Sequence, residues 1–312
     1  MKALYDVAAP AKLNLFLHIT GRRVDGYHLL QSAFMLIDWC DTLHFERRDD
    51  GQISREDLRP SDLLPSSTPG LQRQDLPADD LCVRAARALQ LHIKLHGVAA
   101  QTGQNPGVHI GLVKNIPTQA GLGGGSSDAA STLLALNRLW RCQLSLPRLM
   151  DIGLQLGADV PFFLQGHNAW VEGIGEKITP ILLPTARFLV AKPPDGLETA
   201  KIFAHPDLPR ASANAILSGF VASSGVDLFE FGRNDLQVVA QNLSPGVREG
   251  LKWLKSKGLD GRMTGSGSAV FAKVNTEALL SKAASISNVP PGFTVKVCNN
   301  LPQHPLLDWA GK

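Results

Sequence analysis

A run of glycines followed by two serines is the part of the sequence best suited to bind an anion. It reads GLGGGSSDAA over residues 121–130. The helical spacing of the apolar residues that follow predicts a helix with Ser126 as its N-cap and Asp128 in its first turn. Glycines permit a positive φ and the close approach of a ligand, and a helix N-terminus presents N–H groups and a positive dipole end. The stretch therefore predicts a phosphate-binding loop, with a flexible surface loop as the alternative.

The familiar nucleotide-binding motifs do not account for this loop. A Walker A loop requires GxxxxGK[ST], and no lysine follows these glycines. The dinucleotide fingerprint GxGxxG fails because the sixth residue from Gly121 is Ser126. The HRD and DFG motifs of protein kinases are absent as well. These three classes of nucleotide-binding protein are thereby excluded.

The elements that must position the loop can be outlined from hydrophobic periodicity. Residues 12–18 alternate as a strand does, with Leu13, Leu15 and Leu17 on one face and Lys12, Asn14, Phe16 and His18 on the other. The pattern further predicts a turn at Asp25–Gly26 and one or two strands over 33–47. An exposed loop, called here an excursion, is predicted over 49–80. A helix from Leu81 to about Leu95 and a strand ended by Pro117 follow.

A further helix is predicted from residue 146 to Gly157, just before the candidate catalytic residue Asp159. Because Val160 precedes Pro161, it is expected to be extended, which places Asp159 at a helix-to-strand turn facing a cleft. A proline-punctuated strand follows over 180–194, and a glycine turn leads into another strand over 261–274. The boundary between two domains is predicted near residue 183.

The composition is that of an ordinary globular protein. Of the 312 residues, 44% are hydrophobic and 19% are charged, and the net charge of +3 does not indicate a nucleic-acid surface. The four cysteines lie far apart without a CxxC motif, so neither a zinc site nor a disulfide framework is predicted. Without a signal-peptide pattern or a long apolar run, the expected location is cytoplasmic, with no membrane partner.

Three motifs in a fixed order identify a resemblance to a known superfamily. APAKLNLFLHITGRRVDGYH, PTQAGLGGGSSDAA and MTGSGSAVFA resemble the first, second and third motifs of the GHMP kinase superfamily. The resemblance implies an α+β fold of two domains. An ATP-binding lobe over 1–183 would be similar to domain 2 of ribosomal protein S5, and a lobe over 184–312 would be ferredoxin-like.

Within the superfamily, the segments DGYH and GADVPFF resemble one branch in particular. Its members transfer a phosphoryl group from ATP to the 2-hydroxyl of a methylerythritol linked to cytidine diphosphate, in the non-mevalonate route to isoprenoid precursors. The resemblance covers nearly the whole chain except about 49–80 and the last ten residues. It implies a small-molecule substrate. Apart from the resemblance, we expect no nucleic-acid partner and a monomer or weak homodimer.

The resemblance implies that Asp159 is the catalytic base and that Lys12 is its partner. A carboxylate within hydrogen-bond reach can accept the proton of the acceptor hydroxyl as the phosphoryl group arrives. A neighbouring ammonium favours the ionised carboxylate and offsets the negative charge that develops on the phosphoryl oxygens. Without the resemblance, a turn residue and a solvated edge lysine would be the simpler interpretations.

The resemblance also implies which residues bind the two substrates. For the cytidine substrate they are Asn14, Tyr27, His28, Asp159, Thr199 and Phe203, with Tyr27 and Phe203 stacking on the base and His28 at its edge. For ATP, Lys114 is expected at the adenine and ribose and the glycine loop around the triphosphate; the full set is Lys114, Pro117, Gly121, Leu122, Gly123, Gly124, Gly125, Ser126, Ser127, Gly265, Ser266 and Gly267. Mg²⁺ is expected to be held mainly by the nucleotide phosphates, with Ser127 as an additional ligand and no protein carboxylate assigned.

Two other functions remain open at this stage. The first is another kinase of the superfamily, of the mevalonate or homoserine type, although a polyol acceptor without a base needs no stacking aromatic such as Tyr27. The second is a non-catalytic module that binds a nucleotide or RNA. The presence of both Lys12 and Asp159 and the lack of a basic, aromatic-rich stripe argue against it.

Overall fold

The computed structural model describes residues 1–58, 80–96, 106–221, 228–274 and 288–311. In the first half of these ranges the strands are β1 (Ala3–Arg22), β2 (His28–Arg48), β3 (Ile53–Asp57), β4 (Gly107–Val113), β5 (Ala169–Gly173) and β6 (Lys177–Pro180). The helices there are α1 (Leu81–His96), α2 (Gly124–Leu139), α3 (Leu146–Leu156) and α4 (Val160–Gln165).

The second half contains a further set of elements. Its strands are β7 (Arg187–Lys192), β8 (Arg262–Met263), β9 (Val270–Val274) and β10 (Thr294–Asn299). Its helices are α5 (Thr199–Ala204), α6 (Leu217–Val221), α7 (Gln237–Leu243) and α8 (Pro245–Ser256). Across the described ranges, no helix combines the length and the apolarity needed to cross a bilayer.

The long strand β2 organises the first sheet. It pairs with β1 in antiparallel register, with β4 through residues 42–48 and with β5 through residues 30–34. Strand β3 adds to β4 in parallel, and β6 adds to β5. The second sheet has the order β10-β7-β9-β8. The predicted boundary near residue 183 lies between the last strand of the first sheet and the first strand of the second, and we retain it as a proposal.

The predicted alternation of β1 holds from Lys12 to Leu15 and is wrong beyond it. A register irregularity between β1 and β2 falls between Asn14 and Leu17. As a result, Phe16 packs in the same apolar cluster as Leu15, whereas Leu17 belongs to a different cluster. A bulge of this kind places two consecutive side chains on one side of the sheet. Sequence alternation alone carries no sign of it.

The apolar side chains of the described residues form three clusters. The first lies between the first sheet and helices α1 to α4. The second contains Leu13 and Met35 from the first sheet together with Phe188 and Phe271 from the second. The third combines Leu17 and Ile19 of β1 with residues of the second half of the chain, among them Ile202 of α5. Because the second and third clusters both draw on the two sheets, the two lobes share part of their core.

The segment over 49–80, predicted as an exposed excursion, is only partly described. Within it, Ile53–Asp57 form strand β3 and pair with residues 108–112 of β4, so the prediction is wrong for this portion. The sequence hides this strand for two reasons. Its side chains are only half-buried and include charged residues such as Arg55 and Asp57, and its parallel partner is distant in sequence. Residues 59–79 lie outside the described residues.

The C-terminal segment is hydrogen-bonded to the first lobe at His304, whose side chain is buried. The N–H of His304 donates to the carbonyl of Gly166 at 2.7 Å, and its Nδ1 accepts from the N–H of Leu306 at 3.0 Å. Its Nε2 is buried without a hydrogen-bond partner among the described residues. Burial lowers the pKa of His304 from its ordinary 6.5 to about 4. The folded protein therefore holds this imidazole neutral.

We expect this histidine to make the protein less stable in mild acid. Below pH 6.5 the unfolded chain binds a proton that the folded chain excludes until about pH 4, so the free energy of unfolding falls across that window. Between pH 7 and pH 5 the loss from His304 is about 2 kcal/mol. Urea unfolding at both pH values should show a smaller loss in His304→Asn, whose amide oxygen can still accept the Leu306 N–H. An equal loss in both proteins would contradict this expectation.

Candidate active site

A single cleft of about 1710 Å³ collects the residues that the sequence singled out. It is lined by Lys12, Asn14, Tyr27, His28, Lys114, Pro117, Gly121, Leu122, Gly123, Gly124, Gly125, Ser126, Asp159, Thr199, Phe203, Gly265, Ser266 and Gly267. Ser127 is the exception. Its side chain is fully buried, its Oγ has no partner among the described residues, and it does not line the cleft. The structure therefore gives Ser127 no side-chain contact with a ligand there.

The glycine loop opens directly onto a helix, as predicted, but the helix begins earlier than expected. Its N-cap is Gly123, with φ of 71°, and Gly124 is its first residue. Ser126 therefore lies within the first turn rather than at the cap, and Asp128 lies beyond that turn. Among the described residues no side chain caps this end. The N–H groups of a helix start have no partner within the helix, and here they belong to residues that line the cleft.

The glycines of the loop are required by close contacts with neighbouring protein groups. A Cβ on Gly121, where φ is +72°, would lie 2.2 Å from the carbonyl oxygen of Thr264. A Cβ on Gly123 would lie 2.9 Å from the ring of Phe163 and 3.1 Å from Cγ of Lys12. The loop is thus packed between β1, α4 and the turn of the third motif. We infer that its shape is set before any ligand binds.

We expect Gly121→Ala to distort this packing and weaken nucleotide binding. A non-glycine residue held at positive φ costs about 1–3 kcal/mol, and the clash with the carbonyl of Thr264 adds to that cost. Gly258→Ala is a matched control, because Gly258 has φ of +75° and nothing within 4 Å of the added Cβ. Thermal unfolding and the KM for ATP should both change more in Gly121→Ala. Equal effects of the two substitutions would contradict the packing argument.

Lys12 lies on β1 beneath the glycine loop. Its backbone N–H donates to the carbonyl of Leu122 at 2.9 Å, which ties the strand to the loop. Its ammonium donates to Oδ1 of Asn14 and lies 4.6 Å from the centre of the Phe34 ring. Burial lowers the pKa of Lys12, and the neighbouring Asp159 carboxylate acts in the opposite direction. A buried ammonium with few partners is well placed to attract an anion entering the cleft.

Asp159 faces that ammonium from the start of a short helix. Its Oδ2 lies 3.6 Å from Nζ of Lys12, and 30% of its side chain is exposed. The prediction of a helix-to-strand turn is wrong, because Asp159 is the N-cap of α4 and Val160 is helical. Proline is accepted in the first turn of a helix, so Pro161 is compatible with the start of α4, while the preceding helix α3 has already ended at Leu156 with Gly157 as its C-cap. The carboxylate nevertheless points into the cleft, as expected.

The far end of the cleft carries the predicted aromatic residues. His28 and Phe203 lie with their ring centres 5.2 Å apart and their planes tilted by 33°. Tyr27 is beside them, with 62% of its surface exposed. Nε2 of His28 is buried without a partner among the described residues. Burial lowers the pKa of His28, and the charges of Arg22 and Arg210 lower it further, which favours the neutral ring.

A hydrogen bond joins this aromatic end to the third motif. Oγ1 of Thr199, at the start of α5, lies 2.6 Å from Oγ of Ser266. Phe203 is on the same short helix, and Gly265 and Gly267 flank the serine. The turn of the third motif is therefore in contact with both the glycine loop and the helix that carries Phe203.

Lys114 and two carboxylates form a group that the sequence only partly indicated. The Nζ of Lys114 lies 2.7 Å from Oδ2 of Asp128 and also donates to Oδ2 of Asp41. Burial raises the pKa of Asp128, its pairing with Lys114 opposes this, and the neighbouring Asp41 carboxylate raises the pKa again. Asp41 was not among the predicted site residues. The one available signal is that Asp41 interrupts a largely apolar run, as Asp38 also does, and this does not identify a partner.

The described residues contain no group of three or more metal-ligating side chains. The polar groups around the glycine loop are instead N–H donors and the ammonium groups of Lys12 and Lys114. Such a donor set fits the phosphates of a nucleotide.

Comparison with known proteins places the chain in a family. The family model described as "GHMP kinases N terminal domain" matches residues 80–167, and "GHMP kinases C terminal" matches residues 213–286. A protein of Albidiferax ferrireducens named 4-diphosphocytidyl-2-C-methyl-D-erythritol kinase is 62% identical over 310 residues, covering 99% of this chain and 96% of the relative. A protein of Variovorax paradoxus with the same name is 58% identical over 321 residues, covering 99% and 100%.

Solved structures agree with this placement. A crystal structure of 4-(cytidine 5'-diphospho)-2C-methyl-D-erythritol kinase superposes with a TM-score of 0.68 at 32% identity, covering 93% of this chain and 98% of that one. The mevalonate kinase of Methanococcus jannaschii shares the fold with a TM-score of 0.62 at 15% identity, covering 96% and 98%. The predicted two-domain GHMP kinase fold is therefore confirmed. The chain belongs to the GHMP kinases and, within them, to the family of 4-diphosphocytidyl-2-C-methyl-D-erythritol kinases.

Proposed function

We propose that the protein transfers the terminal phosphoryl group of ATP to the 2-hydroxyl of 4-diphosphocytidyl-2-C-methyl-D-erythritol. The products are ADP and the 2-phosphate of that substrate, an intermediate of the non-mevalonate route to isoprenoid precursors. The observation that carries the proposal is the meeting of Lys12 and Asp159, 3.6 Å apart, between the glycine loop and the aromatic end of one cleft. A phosphoryl donor and a cytidine-bearing acceptor can approach this pair from opposite sides.

The glycine loop holds the donor. Its uncapped N–H groups and the positive end of the α2 dipole bind the triphosphate, and Lys114 adds a positive charge on the same side. The turn at Gly265, Ser266 and Gly267 encloses the opposite side of the loop. Bound Mg²⁺ supplies charge neutralisation across the phosphates, and in this proposal the protein contributes no side chain to it.

Asp159 and Lys12 act on the acceptor hydroxyl and on the transferred group. The carboxylate of Asp159 accepts the hydroxyl proton as the oxygen bonds to phosphorus. The ammonium of Lys12 offsets the negative charge that develops on the phosphoryl oxygens. Because Lys12 is buried and fastened to Asn14 and to the loop, it needs little reorganisation during the reaction.

The aromatic end recognises cytidine. Tyr27 and Phe203 supply faces on which the base can stack, and His28, which lines the cleft beside Phe203, lies at the edge of the base. Asn14 and Thr199 contact the remainder of the substrate. A mevalonate or homoserine acceptor would leave this aromatic surface unused, which is why the cytidine substrate is preferred over those alternatives.

We expect Tyr27→Ala to raise the KM for the cytidine substrate by about tenfold, since stacking on one base contributes about 1–3 kcal/mol. The KM for ATP should stay near the wild-type value. Tyr5→Ala is the matched control, because Tyr5 is 59% exposed and Tyr27 is 62% exposed, yet Tyr5 does not line the cleft. Steady-state assays that vary one substrate at a time give both constants. An unchanged KM for the cytidine substrate in Tyr27→Ala would remove Tyr27 from base recognition.

The reaction itself is tested with purified protein in a coupled assay of ADP release. Turnover is expected with 4-diphosphocytidyl-2-C-methyl-D-erythritol in the presence of ATP and Mg²⁺, and phosphorus NMR should place the new phosphate on the 2-oxygen. Mevalonate and homoserine should give no turnover above background. Turnover with either of these and none with the cytidine substrate would overturn the assignment.

We further propose that the enzyme acts in the cytoplasm as a monomer or weak homodimer, without a nucleic-acid or membrane partner. The modest net charge of +3 supports the absence of a nucleic-acid partner. Analytical ultracentrifugation over a range of concentrations tests the oligomeric state. Salt-sensitive binding of RNA without ATP turnover would instead support a non-catalytic module.

A further inference from the structure

The group formed by Lys114, Asp41 and Asp128 is more elaborate than a lysine at a strand end requires. Two carboxylates that are nearly excluded from solvent, at 0% and 3% exposure, share one ammonium that lines the cleft. We propose that Asp41 and Asp128 are positioning residues that hold the ammonium of Lys114 at the start of α2, where it binds the donor nucleotide. The proposal rests on the use of ATP in the proposed function but not on the identity of the acceptor.

The location of the ammonium is the first argument. A Cβ built on Gly124 would lie 3.2 Å from Nζ of Lys114, and Gly124 is the first residue of α2. A cation at a helix N-terminus is repelled by the positive end of the dipole. An unpaired lysine would therefore turn away from this position. The two carboxylates oppose that repulsion and keep the ammonium beside the loop.

Asp41 accepts hydrogen bonds both from the ammonium of Lys114 and from the backbone that follows it. One carboxylate oxygen accepts the ammonium, while Oδ1 accepts the backbone N–H groups of Asn115 and Ile116 at 2.6 and 2.7 Å. These two residues directly follow Lys114 and lead toward the glycine loop. A single buried side chain on β2 thus determines both where the ammonium lies and how the chain leaves β4. Substitution of Asp41 is expected to affect folding as well as binding.

Asp128 holds the lysine from the helix side. Its Oδ2 pairs with Lys114 at 2.7 Å, and its Oδ1 is buried without a partner among the described residues. Burial lowers the pKa of Lys114, but the two carboxylates outweigh it and leave that pKa above its ordinary value. The lysine therefore keeps its charge at neutral pH.

The ammonium of Lys114 has one N–H group left for a hydrogen bond to a ligand. An ammonium has three N–H groups, and among the described residues Lys114 donates to two acceptors. The side chain lines the cleft and is 27% exposed. The third N–H is thus available to an oxygen or nitrogen of the nucleotide. A rigid donor of this kind binds with less loss of side-chain freedom than a mobile lysine.

The test measures the binding of a non-hydrolysable ATP analogue with Mg²⁺ by calorimetry, without any acceptor. Asp128→Asn and Lys114→Met should each weaken binding by about tenfold, the usual effect of losing a charge-assisted contact. Because the carboxylate acts through the lysine, the double variant should bind within about twofold of Lys114→Met alone. The KM for the acceptor should be unchanged in Asp128→Asn.

Asp235→Asn is the matched control. Asp235 is equally buried and pairs with Arg233 at 2.8 Å, but it does not line the cleft. The Asp235→Asn substitution should lower the thermal stability of the protein without changing its affinity for the ATP analogue. Unchanged affinity in Asp128→Asn, or losses that add up in the double variant, would overturn the proposal.

A second measurement needs no variant. In wild-type protein, labelling with acetic anhydride followed by mass spectrometry should show that the ATP analogue protects Lys114, and reactivity unaffected by the analogue would also overturn the proposal. Neither the calorimetry nor the labelling uses the acceptor. An enzyme inactive on the cytidine substrate would therefore refute the proposed function while leaving the positioning of Lys114 to be judged separately.

Discussion

The Asp159→Asn enzyme is expected to turn over about a hundred to ten thousand times more slowly than wild type. An amide cannot accept the proton of the acceptor hydroxyl, but it has nearly the same size and can keep the polar contact with Lys12. Binding of the two substrates should therefore change little, and the loss should appear in kcat rather than in either KM. Steady-state release of ADP, measured at saturating concentrations of both substrates, gives the kcat directly.

Asp151→Asn is a suitable control for this experiment. Asp151 lies on α3 in the same lobe, and 68% of its side chain is exposed, so its loss should leave kcat at the wild-type value. Thermal unfolding of Asp159→Asn should also stay close to wild type, because the side chain is partly solvated. A kcat within about threefold of wild type would exclude Asp159 as the base, given the size of such effects elsewhere.

The Lys12→Met substitution is the second change expected to have a large effect. Methionine replaces much of the buried stem but removes the charge that faces Asp159 and the transferred group, so kcat should fall by about a hundredfold or more. Lys12→Arg should not restore activity. A guanidinium is larger and planar, whereas the ammonium of Lys12 is buried, 4.6 Å from the centre of the Phe34 ring and 3.6 Å from Asp159.

A double variant separates a shared role from two independent ones. If Lys12 and Asp159 act on the same proton transfer and the same charge, the combined substitutions should be little worse than Asp159→Asn alone. Losses in kcat that multiply would show instead that the two residues act in separate steps. Circular dichroism and thermal unfolding of each variant distinguish either result from loss of the fold.

The form of the glycine loop could be predicted because it is encoded in a local pattern, whereas the roles of Lys12 and Asp159 are implied only by the resemblance to the superfamily. The positive φ of Gly121 and Gly123 and the start of α2 follow from the run of glycines before an apolar-periodic segment. The exact start of the helix could not be predicted, because Ser126 is an attractive cap by residue type. Tertiary packing of Gly123 against Phe163 and Lys12 places the cap three residues earlier.

Other features depend on contacts between distant parts of the chain and leave little trace in the sequence. Ser127 is buried, although its neighbour Ser126 lines the cleft, because one step along a helix turns the side chain by about 100°. Asp41 becomes part of the site only through a lysine 73 residues away. The strand at Ile53–Asp57 requires a parallel partner that begins more than fifty residues later. Such pairings are decided by the folded arrangement rather than by local preference.

The apolar cluster shared by the two sheets limits how the enzyme can move. Leu13, Met35, Phe188 and Phe271 are each at most 2% exposed, and they come from both lobes. A hinge opening between the lobes would bring this surface into contact with water, at a cost of about 25 cal/mol for each Å² exposed. A rigid-body opening between the two lobes is therefore disfavoured, and we expect the cleft to keep its width while substrates enter and products leave.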